Sequence, residues 1–355
     1  IVTLQNQMVS SVIVALSGAA GNIGASFLPL LLSGYIFGND VAIDLRLLEI
    51  PEALSKLKGV CMELEDAAYP LLKSIQLTAD PLEAFVNADV VILVGGYPRR
   101  QGMHRKDLIQ VNSKIFQHMG YALQKVAPSY VKVLCVANPA NTNCLVMIQT
   151  ICAETSRIPT RNFCALTYLD WTRAKAMIAT KLRVPVGDVK NVIIWGNHSS
   201  TQYPDVLSDA YQLTKWGARI PLRELLNDNT NDTTMWLEQV FRPTIRERGQ
   251  AILEQRGTSS AMSAAQAIAD CLRTWLVTGT ADGETVSMAI YNDAGYYGVQ
   301  NGIVFSFPCT CRNGEWSVKT NITLDDESRR LIKLSEQELI EERSAAISST
   351  TRSKL

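Results

Sequence analysis

The sequence predicts an α/β protein, a doubly wound parallel sheet followed by a second domain of α+β character. Three observations carry that expectation. Short apolar runs alternate with helix-like patterns through the first half, a glycine-rich turn joins the first strand to the first helix, and the alternation loses regularity after about residue 160. With 355 residues and 47% hydrophobic composition the chain can bury a large core, and two domains are expected.

The elements follow in order. Val12-Ile13-Val14-Ala15-Leu16 is a buried strand that ends in Gly18-Ala19-Ala20-Gly21. A helix carrying Phe27, Leu28 and Leu31 comes next, then a strand over residues 41–48 and a long helix from about Leu57 to Leu72. Val90 to Val94 and Val131 to Val136 are two further buried strands, each followed by a polar loop. Strands alternating with helices imply parallel pairing through right-handed crossovers. Beyond this first domain (residues 1–160) a second spans 161–342, with helices near 170–182 and 236–255 and strands over Thr285–Ile290 and Gly302–Pro308. Residues 343–355, ending in Ser-Lys-Leu, read as a mobile tail.

Composition excludes several classes. Lys+Arg and Asp+Glu both number 34, so the chain has no net charge with which to hold nucleic acid or an anionic membrane surface. No apolar stretch approaches the roughly 18 residues that span a bilayer. The eight cysteines are scattered without metal-ligand spacing, and Cys309-Thr310-Cys311 is too close for a CxxC pair. They read as reduced, mostly buried thiols of an intracellular protein, with no metal site.

The glycine turn Gly18-Ala19-Ala20-Gly21-Asn22-Ile23-Gly24 lies between the first strand and helix. Small residues there let the backbone approach a pyrophosphate, which the helix N-terminus favours electrostatically. By itself a G-x-x-G-x-x-G pattern is equally a tight turn without a ligand. The next strand, however, ends at Leu48-Glu49, where a carboxylate accepts the ribose hydroxyls of adenosine and repels a 2′-phosphate. Together these residues predict a Rossmann-type domain that binds NAD in preference to NADP.

Two polar loops suggest the chemistry. Arg99, Arg100, Arg105 and Lys106 crowd the loop that leaves the strand ending at Val94. Ligands bind open α/β sheets at the carboxyl ends of strands, and guanidinium groups fit carboxylates bidentately, so an anionic substrate is expected. His198, one of three histidines, sits in Trp195-Gly196-Asn197-His198-Ser199-Ser200 directly after the apolar run Val192-Ile193-Ile194. A strand end opening into a polar loop suits either a solvated histidine or a working one.

Long motifs in the right order resolve that choice. Gly18-Ala-Ala-Gly21, Pro98-Arg-Arg-x-Gly-Met-x-Arg105-Lys-Asp-Leu108, Asn138-Pro-Ala-Asn-Thr-Asn143, Leu169-Asp170-x-x-Arg173-Ala-Lys175, Ile194 to Asp205 and Ser259 to Ala265 make the chain resemble the lactate/malate dehydrogenase family, specifically its cytosolic-type NAD-dependent malate dehydrogenases. The resemblance runs from Val12 to about Glu342. It implies that His198 is the general acid/base and that Asp170 orients its imidazole. Arg173 would clamp the substrate α-carboxylate, Arg105 would polarise the carbonyl, and Arg99 would select the second carboxylate of malate or oxaloacetate. Asn138 and Ser260 would contact substrate. Gly18, Ala20, Gly21, Asn22, Ile23, Gly24, Glu49, Asn112, Val136 and Asn138 would line the cofactor, and a homodimer is implied.

The chain departs from the family at Tyr168, where arginine is usual, and at Trp171 and Thr172, which replace histidine and asparagine. Positions one and two after Asp170 on a helix face away from it, so repacking of core or interface is expected. The runner-up reading within enzymes is another 2-hydroxy acid, such as an aromatic one. A non-catalytic dinucleotide-binding scaffold predicts loss of a site residue, and none is lost. Lastly, Ser353-Lys354-Leu355 has the form of a receptor-read peroxisomal address. The expected location is therefore peroxisome or glycosome, with the cytoplasm as the alternative.

Overall fold

The computed structural model describes residues 3–4, 7–8, 11–98, 103–153, 157–226 and 232–351. Its centre is one long sheet. Six strands, β1 (Ser11–Ser17), β2 (Ala42–Leu48), β3 (Leu72–Thr78), β4 (Val90–Leu93), β5 (Lys132–Cys135) and β6 (Phe163–Ala165), are all parallel, in the order β3-β2-β1-β4-β5-β6. This is the doubly wound arrangement, with a switch point between β1 and β4 where the strand order reverses.

Alternating side chains on these strands feed two cores. Val12, Val14, Leu16, Val90, Ile92 and Leu134 pack on one face, and Ala15, Val91, Leu93, Val133 and Cys135 on the other. Both faces being covered explains why the strands read as continuous apolar runs rather than as alternating ones. Helices α1 (Asn22–Leu32) and α2 (Leu54–Asp66) cover the first face, and α3 (Arg105–Val126) and α4 (Ala140–Cys152) the second.

The sheet does not stop at β6. A single bridge, Ala165 to Ala289, attaches the antiparallel strand β9 (Val286–Tyr291), which pairs with β10 (Val304–Arg312) and then β11 (Glu315–Val318). Against these lie the short pair β7 (Ile193–Trp195) and β8 (Tyr203–Asp205), together with α5 (Tyr168–Leu182), α6 (Arg242–Arg256) and α7 (Met262–Arg273). All eight cysteines are free, and all but Cys152 are buried. Burial pushes the thiols of Cys144 and Cys309 well above their usual range, so they are apolar packing groups.

Three expectations need correction. The helix expected to reach Leu72 ends at Asp66, and Leu72 opens β3. Leu57 and Leu64 set a helical spacing that Leu71 and Leu72 happen to continue. As the edge strand, β3 buries one side only, so its Ile75–Leu77 alternation is weak beside that helical signal. The helix expected over 236–255 begins with a π-helical stretch, Leu237–Phe241, before α6 proper. Residues 343–351 are not a tail: the final helix α8 runs from Asp326 to Thr351. Buried Ala346 and an Arg343 bond to the Gly302 carbonyl hold that end in place.

Candidate active site

The first strand-turn-helix unit forms one edge of the site. Gly18 adopts φ +71° and its N–H donates to the Leu48 carbonyl at 3.0 Å, so the chain turns sharply as it leaves β1. A Cβ on Gly18 would stand 2.5 Å from the backbone nitrogen of Gly95, which follows β4. Only glycine permits that contact across the switch point. Gly21 leads into α1, Gly24 is buried in its first turn, Asn22 is exposed there and Ile23 is half-buried. Glu49 follows the end of β2, and its carboxylate accepts from the Ala20 N–H at 3.0 Å. The turn, the start of α1 and the acid are therefore one assembly, and they fit a dinucleotide: backbone without side chains for the phosphates, a carboxylate for a ribose.

The neighbouring strand ends add the rest of this edge. Val136 and Ala137 both donate to the Leu93 carbonyl, at 2.9 and 3.0 Å, and Asn138 emerges exposed beyond them. Asn112, expected beside the cofactor, lies between these two strand ends. It is fully buried, accepts from the Tyr97 N–H at 2.8 Å and donates to the carbonyls of Tyr97 and Asn138, both at 3.1 Å. With both ends of its amide engaged, it ties the chain after β4 to the chain after β5.

The second edge is built on α5 and the turn after β7. Asp170 sits in the first turn of α5, where the helix dipole favours a carboxylate, and has no exposed surface. His198 Nδ1 bonds its Oδ2 closely, and Arg173 Nη1 donates to its Oδ1 at 3.3 Å. An ionised carboxylate only accepts, so Nδ1 carries the imidazole proton and Nε2 is left for chemistry. Arg173 also donates from Nη2 to Ser260 Oγ at 3.3 Å. Burial lowers the pKa of Arg173 and the Arg248 charge pushes the same way, while Asp170 raises it. A guanidinium starts so high that it stays charged. The presence of Arg248 beside this cluster is not visible in local sequence, because α6 brings it there from 75 positions away.

Backbone contacts lock the histidine turn. Gly196 exchanges two hydrogen bonds with Ser306 of β10, at 3.2 and 3.0 Å, and the His198 N–H donates to Asn141 Oδ1 at 3.0 Å. Residues Ser335, Glu338 and Glu342, on one face of α8, grip the same turn. Ser335 Oγ accepts from the Asn197 N–H at 2.8 Å. Glu338 accepts from Asn197 Nδ2 at 2.8 Å and from Thr201 at 2.6 Å. Glu342 accepts from Asn197 Nδ2 at 3.1 Å, from the Thr142 hydroxyl, and from Arg105 Nε at 2.7 Å and its Nη2. Arg105 therefore engages this buried carboxylate. None of the α8 residues was expected from sequence, where charges at helical spacing look like a solvated face.

The remaining sequence-predicted residues divide clearly. Arg99 lies outside the described residues, as do Ser353, Lys354 and Leu355. Trp171 and Tyr168 turn into the core: their rings meet at 4.7 Å, Trp171 Nε1 donates to the Val192 carbonyl at 2.8 Å, and the Tyr168 hydroxyl bonds Thr274 at 3.2 Å. Lys175 lies over the Trp171 ring at 4.2 Å, and burial followed by the Lys190 charge lowers it to about 8. Thr172 bonds back to the Leu169 carbonyl at 2.9 Å, within its own helix.

A doubly wound sheet with a glycine turn at its first crossover, together with a His–Asp–Arg cluster built on a buried Asp170, defines a dinucleotide-dependent oxidoreductase. The chain belongs to the lactate/malate dehydrogenase family: residues 12–163 match its NAD binding domain and residues 167–349 its alpha/beta C-terminal domain. It is 45% identical to malate dehydrogenase 1, cytoplasmic, of Arabidopsis thaliana, over 94% of this chain and 97% of that protein. It is 48% identical to the cytoplasmic malate dehydrogenase of Felis catus, over 94% and 96% of the two chains. Among solved structures, malate dehydrogenase from Naegleria fowleri superposes with a TM-score of 0.86 at 40% identity, covering 97% of this chain and all of that one. Trichomonas vaginalis lactate dehydrogenase, in complex with NADH and oxamate, superposes with a TM-score of 0.88 at 35% identity, covering 96% and 99%.

The locked turn generates a prediction. Gly196 has φ +93°, and a Cβ there would stand 2.1 Å from Ser335 Oγ and 2.6 Å from Ser335 Cβ. Gly196→Ala should lose at least about 2 kcal/mol of stability through strain and overpacking. Chemical denaturation of Gly196→Ala, Ser335→Gly and the double variant measures it. The double variant should recover part of the loss, and strict additivity would place the cost elsewhere.

Proposed function

We propose that this chain catalyses the reversible NAD-dependent oxidation of (S)-malate to oxaloacetate. The observation that carries the reading is the His198–Asp170–Arg173 cluster, which sets a proton acceptor beside a carboxylate clamp. NAD, when bound, takes the hydride from the substrate carbon. The residues of the chain do the rest. Nε2 of His198 receives the hydroxyl proton during oxidation and returns it during reduction, while Asp170 favours the resulting imidazolium. Arg173, charged and held in orientation by Asp170 and Ser260, receives the α-carboxylate. Asn138, exposed at the carboxyl end of β5, orients the substrate, and Glu49 holds the adenosine ribose. Arg99 is assigned the second carboxylate on motif resemblance. Its presence supports malate over lactate or an aromatic 2-hydroxy acid, even though a lactate dehydrogenase stands among the structural neighbours. A homodimer is the assembly that family resemblance supports.

The test is a comparison of oxaloacetate, pyruvate and phenylpyruvate as substrates with NADH. Oxaloacetate should give the highest kcat/KM. Arg99→Ala should lower that value at least about tenfold, the worth of a charge-assisted hydrogen bond, and change the monocarboxylate values much less. A variant that keeps wild-type discrimination removes Arg99 from the role. His198→Ala should lower turnover by roughly 10²–10⁴-fold while NADH titration by fluorescence stays near wild type. Near-normal turnover would refute the proton-transfer assignment.

Cellular location divides into two readings. The Arabidopsis thaliana and Felis catus relatives are named as cytoplasmic, which supports the cytoplasm. Peroxisomal import rests on Ser353-Lys354-Leu355 alone, a signal that a receptor reads at a free carboxyl terminus. A fluorescent reporter ending in residues 348–355 should collect in organelles of the source cell if that signal works. Diffuse fluorescence leaves the cytoplasmic reading.

A further inference from the structure

Glu342 is 4% exposed, and a carboxylate so placed requires partners. Among the described residues it has three, from three separate elements: Arg105 at the start of α3, Thr142 in the first turn of α4, and Asn197 in the turn after β7. Each of these elements carries a group of the site. Arg105 is itself assigned to substrate, Asn138 precedes α4 by two positions, and His198 is the residue after Asn197. Ser335 and Glu338, lying seven and four positions before Glu342 on the same helical face, contact the histidine turn but supply no bond to Thr142. Glu338 reaches Arg105 only at 3.9 Å. Glu342 is thus the point where the histidine turn, the strand end bearing Asn138 and the Arg105 guanidinium are joined.

The arginine geometry defines what that junction does. Nε and Nη2 form one edge of the guanidinium fork, and both donate to Glu342 Oε1. The Nη1 edge points away from that carboxylate, because the fork is planar and rigid. A guanidinium gripped along one edge presents the other as an oriented donor.

We propose that Glu342 is a positioning residue for the reaction: one buried carboxylate sets the register of Arg105 against His198, so that the Nη1 edge of Arg105 and Nε2 of His198 converge on the same substrate oxygen. The inference rests on the malate/oxaloacetate reading for the identity of that oxygen, and on the contacts above for the role of Glu342. Helix α8 is therefore part of the active-site framework, although it touches no reacting atom.

The test is Glu342→Gln in the full-length chain, with two independent readouts. In kinetics with oxaloacetate and NADH, kcat/KM for oxaloacetate should fall at least about tenfold, since misplacing a catalytic group by an ångström costs up to about a hundredfold. The KM for NADH should stay within about twofold, because the glycine turn and Glu49 make no contact with Glu342. Separately, diethyl pyrocarbonate labelling followed by mass spectrometry should show His198 reacting several-fold faster, measured against His118 in the same molecule. Thr142→Val, which removes one donor and leaves the charge pair, should move both readouts in the same direction by less, and serves if Glu342→Gln does not fold. A variant with lowered stability but wild-type kcat/KM for oxaloacetate and an unchanged His198-to-His118 labelling ratio overturns the proposal. Should the wild-type chain fail to reduce oxaloacetate, the substrate reading falls, and the labelling ratio still decides the role of Glu342.

Discussion

A carboxylate without solvent contact must be compensated, and Asp170 is the point at which that requirement organises the second domain. Its oxygens are divided between His198 and Arg173, one from the turn after β7 and one from its own helix. Removing one partner of such a group costs about 3–5 kcal/mol, because the remaining charge stays buried. The pairing therefore holds α5 and the histidine turn together, fixes the imidazole tautomer and keeps the Arg173 guanidinium pointed at a neighbouring hydroxyl. Catalytic orientation and local stability are the same set of bonds.

The sheet supplies the other constraint. Continuing β6 into the antiparallel strands β9 and β10 makes one surface of two structural layers, and the bridge between Gly196 and Ser306 hangs the histidine turn directly on it. At the opposite side of the site, Gly18 and Gly95 bring the ends of β1 and β4 into backbone contact. Both edges depend on glycine: Gly18 meets the main chain of Gly95, and Gly196 pairs with the main chain of Ser306 while the Ser335 side chain fills the space a Cβ would need. A site built this way holds its geometry without needing large apolar side chains at its rim.

Helix α8 shows how polar residues join that framework. Ser335, Glu338 and Glu342 each receive donors from the turn at residues 197–201, so a stripe of charges and hydroxyls is turned inward. Buried polar groups are tolerable when satisfied, and a satisfied network specifies one arrangement more sharply than an apolar contact does. Tyr168 and Trp171, two of the three positions expected from the motifs to depart from the family, go the other way. They pack into the core, with their polar atoms bonded to Thr274 and Val192.

By itself the sequence determined the parallel sheet, the glycine turn and an acid at the end of the next strand, because each depends on local periodicity or on position at the end of one element. His198 at a strand end was legible for the same reason, whereas its role and those of Asp170 and Arg173 came from the family motifs. Only the tertiary structure decided that Leu72 begins an edge strand, that residues 343–351 remain helical, that Asn112 binds protein at both ends of its amide, and that Glu342 joins Arg105 to the histidine turn. Those features depend on partners far away in the chain. A glutamate at helical spacing carries the same local signal whether water or a buried arginine faces it, and the difference arises only when helices and strands are packed together.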